Sequence, residues 1–459
     1  MDIKEKLERI APYLESGDYP AIAAILAPSA PVDIGELMGN LETEEIINIL
    51  RYLPADITGE ILSFIDPDLA PDILLALGDD RSSAVLDSMN LDDVADIVGE
   101  LEPTEQNLLY DLMEEEDAED VRELVAYPED TAGSIMTTEF VALNENTTAE
   151  ETIGILREKA PSAETVYYIY VTDDDDTLVG VLSLRDLIVT PPNWTIGHIM
   201  NPRVKVANEY TDREEVASLV SRYDISAIPV TDEDGHILGI ITVDDILDVI
   251  EEETTEDVLR MAGAHEDELE DLEGEESFGK KIFTAVKSRL PWLLITLLGG
   301  FISGVIMNNI EEDLEAVVAL AYFIPLLLGL GGNVGTQSST VTVRGISTGQ
   351  VDSSRIFINV LRESCVGLIA GCCCAVVLCV IAYFWLGSFA LSILVGITLL
   401  CNMFLSAFIG TFVPLTLKKV GIDPAVASAP FISTGIDILG LLIYSILASV
   451  FMPLLLGMI

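Results

Sequence analysis

The sequence is poor in positive charge, in histidine and, over most of its length, in cysteine. It has 23 Lys and Arg residues against 77 Asp and Glu residues, and three histidines that are scattered along the chain. Proteins that bind nucleic acid replace the counterions of the phosphates with Lys and Arg, so this charge balance argues against that class of partner. The scattered histidines give no zinc-ligand spacing.

All six cysteines lie in the apolar C-terminal part of the chain, at positions Cys365, Cys372, Cys373, Cys374, Cys379 and Cys401. None has a zinc-ligand spacing with a histidine, and we interpret them as small apolar residues at helix contacts. The sequence has no nucleophile with a matching base and no phosphate-binding loop in a suitable context. We therefore expect no enzymatic activity.

The acidic charge is confined to the N-terminal part. Residues 1–279 contain 69 acidic and 14 basic side chains, whereas residues 280–459 contain 8 acidic and 9 basic ones. An acidic excess of this size favours cations as partners. The first residues, MDIKEKLERI, have no apolar core of the kind found in signal peptides, so we expect the acidic part to stay in the cytoplasm.

The C-terminal part contains five apolar runs, and each is long enough to cross a bilayer core that needs about 20 helical residues. They lie at 290–310, 316–346, 359–386, 389–417 and 425–458. Basic clusters fall on one side of this pattern, and an acidic loop at 311–315 falls on the other. The positive-inside rule then predicts a multi-pass protein of the inner or plasma membrane, with cytoplasmic N-terminal domains and the C-terminus outside.

One of these runs becomes polar part-way along, in the stretch PLLLGLGGNVGTQSST at 325–340. Polar or irregular backbone at membrane depth is tolerated where it is buried in protein or lines water. We therefore expect this segment to face a pore. The residues concerned are Gly331, Gly332, Asn333, Gly335, Thr336 and Gln337.

Two acids belong to the last two apolar runs. Asp437 has membrane-length sequence on both sides, and no Lys or Arg lies in these runs away from their cytoplasmic ends. An acid in such a place is costly and predicts a water-filled cation path. Asp423 precedes a proline at the start of the last run. It fits either a helix N-cap or a position on the route of ions into a pore.

Residues 1–131 contain short amphipathic segments separated by Pro, Gly and Asp, which predict a small helical superhelix with an acidic surface. An internal repeat follows. GSIMTTEFVALNENTTAEETIGILR resembles IGHIMNPRVKVANEYTDREEVASLVSR, and each copy continues into two predicted strands and a helix. The two copies resemble paired CBS domains, at 132–195 and 196–253, which in that family commonly bind adenine nucleotides. ATP is therefore a candidate ligand.

An acidic helix is predicted from VDDILDVIEEETTEDVLRMAG at 243–263, in which Arg260 is the one base. Its acids at spacings of three and four are Asp245, Asp248, Glu252 and Glu256, with Glu253 and Asp257 beside them. Two like charges 4 Å apart repel by about 4 kcal/mol at an effective dielectric of 20, so packing this face on another acidic surface requires counter-cations. A solvated acidic face is the alternative interpretation.

Taken together, these features resemble the MgtE family of magnesium channels over nearly the whole chain. The specific motifs are YPEDTAGSIM at 127–136, IPLLLGLGGNVGTQSST, VRGISTG, DPA and a last span with Asp437. The resemblance implies a multi-domain α and α/β protein. Its parts are an N domain at 1–131, the CBS pair at 132–195 and 196–253, a connecting plug helix at 254–280 and a five-helix transmembrane domain at 281–459.

The resemblance also implies a homodimer in membrane lipid, with a pore on its two-fold axis and the plug helix near the cytoplasmic mouth. Asp437 would recognise hydrated Mg²⁺, Gly332 and Asn333 would shape the pore, and Asp423 would lie near its inner mouth. Just before Pro430 this chain has Ala429, where some members have Asn or Gly. Regulatory Mg²⁺ would close the channel by binding Asp92, Asp93, Asp96, Asp224, Asp245, Asp248, Glu253, Glu256 and Asp257.

Two other functions remain open from the sequence. A divalent-cation carrier for Mg²⁺ or Co²⁺ coupled to Na⁺ or H⁺ would also need an intramembrane acid such as Asp437. A membrane-tethered CBS sensor of nucleotides would need no transport at all.

Overall fold

The computed structural model describes residues 3–65, 69–159, 163–265, 268, 278–426 and 429–456. The chain divides into two compact units, Met1–Ile250 and Glu251–Ile459.

The first unit begins with short amphipathic helices. They form because apolar residues recur every three or four positions, as in the fourth helix, which buries Ile46, Ile49 and Leu50 and is closed at its start by a capping box between Glu42 and Glu45. In the described part of this region the helices are α1 (Ile3–Ser16), α2 (Tyr19–Leu26), α3 (Pro31–Met38), α4 (Thr43–Leu50), α5 (Ala55–Leu62), α6 (Ala70–Leu77), α7 (Asp79–Leu86), α8 (Leu91–Gly99), α9 (Pro103–Tyr110) and α10 (Glu115–Val125).

The internal repeat folds into two small sheets of the same topology. In each, the first strand runs parallel to the second, and the second is antiparallel to the third. The first copy contains β1 (Ala142–Asn144), α11 (Ala149–Lys159), β2 (Tyr168–Thr172), β3 (Leu178–Ser183) and α12 (Leu184–Val189). The second contains α13 (Ile196–Ile199), β4 (Ala207–Asn208), α14 (Arg213–Tyr223), β5 (Ala227–Thr231) and β6 (Ile237–Thr242).

The two copies exchange their leading segments. Thr137, which precedes the first sheet, pairs with Ile240 of β6, and Asn201 of the second copy pairs with Val181 of β3. The methionine before each of these residues packs over a glycine of the other copy: Met136 covers Gly239, and Met200 covers Gly180. The absence of a side chain at the two glycines makes this reciprocal packing possible.

A long helix, α15 (Val243–Ala262), follows the second sheet and continues across the boundary between the units. The predicted limit between the second CBS copy and the connecting helix, at 253/254, lies inside α15. Most of the remainder of that predicted helix, residues 266, 267 and 269–277, lies outside the described residues.

Among its described residues, the second unit contains five helices that are long and apolar enough to cross a membrane. They are α16 (Phe278–Asn308), α18 (Ile324–Ser347), α19 (Ile356–Leu386), α20 (Phe389–Val420) and α21 (Ala429–Leu456), and the short helix α17 (Glu311–Ala316) follows the first. A 3-10 turn, Val318–Phe323, extends the second span at its start. The five apolar runs of the sequence thus correspond to five helices.

The reciprocal packing of the CBS copies predicts a stability effect at Gly239. A Cβ added there would lie 2.7 Å from the backbone oxygen of Thr137 and 2.8 Å from the sulfur of Met136. We expect Gly239→Ala to lower the free energy of unfolding of the CBS pair by about 1–3 kcal/mol, as overpacking does. Denaturant unfolding of the purified protein measures this.

Gly154→Ala is the matched control. Gly154 lies in α11, and an added Cβ there meets nothing within 4 Å. Alanine is about 1 kcal/mol more favourable than glycine inside a helix, so this variant should be neutral or stabilising. Equal effects of the two substitutions would contradict the proposed role of the glycine contact.

Candidate ion pathway and regulatory carboxylates

The polar stretch of the second span is a regular helix in the structure. Gly331, Gly332 and Gly335 are buried, whereas Asn333 and Gln337 are exposed on the surface of α18. A side chain at Gly335 would collide with Ile436 of α21, and one at Gly331 would collide with Asn402 of α20. The glycines allow the helices to approach closely, as small residues do in membrane bundles. They therefore divide the stretch into a packing face and a polar face.

Asp437 lies on α21 and is half-buried. Within the described part of the chain its carboxylate has no hydrogen-bond or ion-pair partner. One turn earlier on the same helix, the Thr434 hydroxyl is occupied by a bond to the Pro430 carbonyl at 2.7 Å. The acid predicted from the sequence to meet cations therefore has its oxygens available for a ligand.

Asp423 caps a turn, which is one of the two roles that its sequence position suggested, and it also pairs with a base. Its Oδ1 accepts a hydrogen bond from the Ala425 backbone N at 2.8 Å, which caps the 3-10 turn Pro424–Val426. Its Oδ2 accepts a bond from Arg260 Nη1 of α15 at 2.8 Å. Arg260 also pairs with Glu256 on its own helix. A single guanidinium thus neutralises two carboxylates at the cytoplasmic end of the last span.

Further contacts join the second half of α15 to the cytoplasmic end of α18. The Ser347 hydroxyl donates to Asp257 Oδ2 at 2.9 Å, and Arg344 Nη1 lies 3.4 Å from the Thr254 hydroxyl. Burial raises the pKa of Asp257 and outweighs the opposing effect of the hydrogen bond from Ser347. These contacts, together with that of Arg260, hold this half of α15 against the membrane helices.

A group of carboxylates converges in the first unit, and we call it the Asp92 cluster. Burial, together with the negative charges of Asp245, Asp93 and Glu164, raises the pKa of Asp92 to about 8. Burial likewise raises the pKa of Glu164 to about 7 and that of Asp245 to about 6. Oxygen ligands of this kind are the donors that Mg²⁺ prefers. The members are Asp92, Asp93, Glu139, Glu164, Asp244 and Asp245.

Local hydrogen bonds position these acids. Ser63 donates to Asp93 at 2.8 Å, and the Thr242 hydroxyl donates to Asp245 at 2.6 Å. Glu139 accepts from the backbone N of Leu91 at 3.0 Å and so caps the start of α8. Asp92 and Asp93 fall in the first turn of α8, while Asp244 and Asp245 fall in the first turn of α15. The beginnings of two helices therefore bring the acids together.

The other predicted regulatory acids lie elsewhere. Asp96, Asp224 and Asp248 are exposed, and Asp224 ends α14 in the left-handed conformation with φ of 51°. Glu253 and Glu256 are half-buried on the second half of α15. Sequence reasoning missed Glu139, Glu164 and Asp244. Asp244 adjoins a predicted acid, but no local pattern distinguishes Glu139 or Glu164.

The domains of this chain match families of known proteins. The family described as MgtE, divalent cation transporter, matches residues 324–447, the MgtE intracellular N domain matches 29–130, and CBS domains match 132–191 and 196–252. The magnesium transporter MgtE of Thermus thermophilus is 39% identical over 437 residues, 94% of this chain and 95% of that protein. That of Bacillus subtilis is 33% identical over 451 residues, 98% of each chain.

The chain belongs to the MgtE family of magnesium transporters. A solved relative supports the assignment of the first unit: the cytosolic domain of the Mg²⁺ channel MgtE in complex with ATP is 41% identical, covers 52% of this chain and 98% of its own, and has a TM-score of 0.50. The soluble part of a magnesium transporter is 32% identical, covers 55% of this chain and 99% of its own, and also has a TM-score of 0.50.

Membership of the MgtE family confirms the main sequence predictions of architecture. The chain has the MgtE cytosolic domain, a CBS pair with small sheets and five apolar helices in its C-terminal part. It is a multi-pass membrane protein that transports magnesium and has cytosolic N-terminal domains.

The Asp92 cluster predicts that stability falls with rising pH when divalent cations are absent. The folded pKa of Asp92, about 8, lies above the unfolded value of 3.8, so the folded state binds this proton more tightly. The stabilisation is complete below the unfolded value and is lost as pH rises through about 8. We expect the unfolding temperature of the first unit in EDTA to fall by at least about 2 °C between pH 5.5 and 8.5.

Two comparisons check the cause. Mg²⁺ added at pH 8.5 should restore the unfolding temperature, and Asp92→Asn should flatten the pH profile. Asp79→Asn, which changes an exposed acid of α7, should leave the profile as it is in the unmodified protein. A profile that is unchanged by Asp92→Asn would contradict the assignment.

Proposed function

We propose that the chain is a Mg²⁺-selective channel for magnesium uptake, in which Asp437 recognises the hydrated ion and cytosolic Mg²⁺ closes the pore. The observation that carries this proposal is the half-buried carboxylate of Asp437, on an apolar helix and without a partner among the described residues. An acid in such surroundings is retained where it meets a cation in water.

The chemistry of Mg²⁺ agrees with this site. Mg²⁺ gives up its water reluctantly and requires near-octahedral oxygen coordination at about 2.0–2.1 Å. A carboxylate from each of two copies, together with the exposed amide of Asn333, would hold the ion through its water shell.

A homodimer fits the surface of the first span. Within this chain only 6% of the apolar window of α16 is buried. A second copy and membrane lipid would cover the remainder.

Closure follows from the Asp92 cluster. When cytosolic Mg²⁺ is abundant, the ion would bridge the acids of α8, α15 and the CBS pair, and so favour the compact arrangement. When Mg²⁺ is scarce, repulsion among the carboxylates would separate the N domain from the CBS pair. The ion shifts this equilibrium through its higher affinity for the compact state.

The second half of α15 would transmit the change to the pore as the plug. In the contacts described above, Arg260 donates a hydrogen bond to Asp423, and Ser347 donates one to Asp257. Release of α15 would break both contacts. It would also leave the Asp423 carboxylate free to attract cations at the cytoplasmic mouth.

ATP is a further proposed ligand of the CBS pair, by extension from the relative whose cytosolic domain was solved with it. Large apolar side chains in the first CBS copy support this extension, since Tyr167, Ile188 and Val189 are 72%, 67% and 76% exposed. The Leu184 backbone N donates to the Tyr167 carbonyl at 2.9 Å, which joins Tyr167 to the start of α12. Such a patch would suit an adenine ring.

The test of the channel is patch-clamp recording from the purified protein in liposomes, with Mg²⁺ as the sole permeant cation. We expect a current that stops when cytosolic-side Mg²⁺ is raised and that falls at least about tenfold in Asp437→Asn, because this change removes the charge without changing the shape. The matched control is Asp352→Asn. Asp352 caps a turn outside the spans, where asparagine caps equally well.

The same recording separates the competing functions. A channel's current reverses at the Mg²⁺ equilibrium potential and is insensitive to Na⁺ or pH gradients. A reversal potential that moves with either gradient would indicate the coupled carrier. An unaltered transport rate in Asp437→Asn would contradict the assignment of the acid, and no current at any Mg²⁺ concentration would favour the tethered sensor.

The Arg260 contact predicts a change in gating without Mg²⁺. Arg260 and Asp423 are 37% and 36% exposed, and a pair with this exposure is worth about 0.2–1 kcal/mol. Arg260→Gln should therefore raise the open-to-closed ratio in Mg²⁺-free cytosolic solution by about 1.5- to 5-fold. Single-channel open probability measures this ratio.

Arg362→Gln is the control, because Arg362 pairs with its neighbour Glu363 on the same helix. It should leave the open probability unchanged. A lower open probability in Arg260→Gln would show that the guanidinium does not favour closure.

A further inference from the structure

A buried asparagine lies where three membrane helices meet. Asn402 of α20 is 1% exposed. Its Nδ2 donates to the backbone carbonyl of Leu327 on α18 at 2.7 Å. A carbonyl has two lone pairs, so it can accept this bond beside its helical one. The side chain therefore ties α20 to α18 through a bond that depends on the amide.

Two glycines bring the neighbouring helices onto the same amide. A side chain at Gly331 of α18 would collide with Asn402 Nδ2, and a Cβ at Gly440 of α21 would lie 2.8 Å from Asn402 Oδ1. The two ends of the amide thus each lie beside a glycine, where the neighbouring helix has no side chain. The position of Asn402 fixes how closely α18 and α21 approach α20.

These contacts lie next to the residues assigned to the ion pathway. Gly331 immediately precedes Gly332 and Asn333 on α18, and Gly440 follows Asp437 by three positions on α21. Residues three apart lie on the same face of a helix, about one turn from each other. The amide is therefore a common support for the two helices that carry the candidate ion contacts.

Asn402 differs from the other buried polar residues of α20. Thr398 is fully buried, but its hydroxyl bonds to Leu394 of its own helix at 2.9 Å. Asn402 instead bonds to a neighbouring helix, and in the described part of the chain its Oδ1 has no hydrogen-bond partner. A buried amide oxygen of this kind is costly. Leucine would avoid that cost but could not donate to Leu327.

We propose that Asn402 is a positioning residue that sets the separation of α18 and α21 and thereby the preference for Mg²⁺ over Ca²⁺. The inference rests on the proposed function, in which Asp437 and Asn333 meet the ion. Mg²⁺ requires oxygens at about 2.0–2.1 Å in octahedral geometry, whereas Ca²⁺ accepts 2.3–2.6 Å and variable geometry. A binding site holds its productive geometry to within about 0.5 Å. If α18 and α21 move apart by more than this, the site should distinguish Mg²⁺ from Ca²⁺ less well.

The test compares Mg²⁺ and Ca²⁺ uptake by liposomes that contain the full-length protein. We expect Asn402→Ala to lower the ratio of the two initial rates by about two- to tenfold, the range that one hydrogen bond provides. Thr398→Val removes a buried hydroxyl that bonds within α20, and should keep the wild-type ratio. A parallel fall in both rates, or no change, would show that Asn402 has only a general structural role.

Gly440→Ala provides an independent test should Asn402→Ala fail to fold. Its added methyl would press on Asn402 Oδ1. The control is Gly435→Ala on the same helix, where the added methyl has no atom of the described chain within 4 Å. We expect Gly440→Ala to change the ratio and Gly435→Ala to preserve it. In Asn402→Ala/Gly440→Ala the smaller side chain leaves room for the methyl, so the double variant should be less impaired than the sum of the single variants. Additive effects would contradict the inference.

Asp437→Asn in the same liposomes separates this inference from the proposed function. Loss of Mg²⁺ uptake in Asp437→Asn with a wild-type ratio in Asn402→Ala would overturn the positioning role alone. A changed ratio in Asn402→Ala with full uptake in Asp437→Asn would support the positioning role and overturn the assigned acid.

Discussion

Carboxylates held close together, with no base between them in the described part of the chain, are the constraint on which the cytosolic unit depends. The charges that act on Asp92 are those of Asp245, Asp93 and Glu164, all negative, and burial removes the water that would screen them. Only protons or cations can relieve such a cluster. A divalent ion supplies two charges at one point and accepts several oxygens at once, so it relieves the repulsion with little rearrangement. The proposed regulation by Mg²⁺ relies on this property of the cluster.

Helix α15 connects this constraint with the membrane domain. Asp245 lies in its first turn and Arg260 near its end, about 22 Å apart at a rise of 1.5 Å per residue. The two ends use opposite electrostatics. Asp245 at one end is acted on by the negative charges of Asp244 and Asp93, whereas Arg260 at the other end supplies a positive charge to Asp423. In the proposed function, only the contact at the first end depends on Mg²⁺, and the Arg260 contact does not require the ion.

Features with a local signature were predictable from the sequence. The charge difference between the two parts of the chain, the repeated pattern and the apolar runs identified the cytosolic part, the CBS pair and the five spans, and Asp437 stood out as an acid without a base nearby. Features made by tertiary contact were not. Glu139 and Glu164 lie near Asp92 because separate segments of the chain converge on α8. In the sequence, Asn402 is only one polar residue within an apolar run. Met136 and Met200 each pack on the other CBS copy, and this depends on pairing between the two copies that the sequence of one strand cannot indicate.

The regular helix of α18 limits how the membrane domain can meet an ion. A stretch with four glycines in seven residues, GLGGNVG, could have opened into a loop whose carbonyls replace the water around an ion, as in potassium-channel filters. The structure instead keeps it helical from Ile324 to Ser347, so its interior carbonyls point along the helix and accept helical hydrogen bonds. Glycines at helix contacts make this possible, since Gly335 packs on Ile436 and Gly410. In the proposed function, the groups left to meet an ion are then side chains, namely those of Asp437 and Asn333. Side chains reaching from helix surfaces suit an ion that keeps its water, and Mg²⁺ is the common divalent cation that holds its water most firmly.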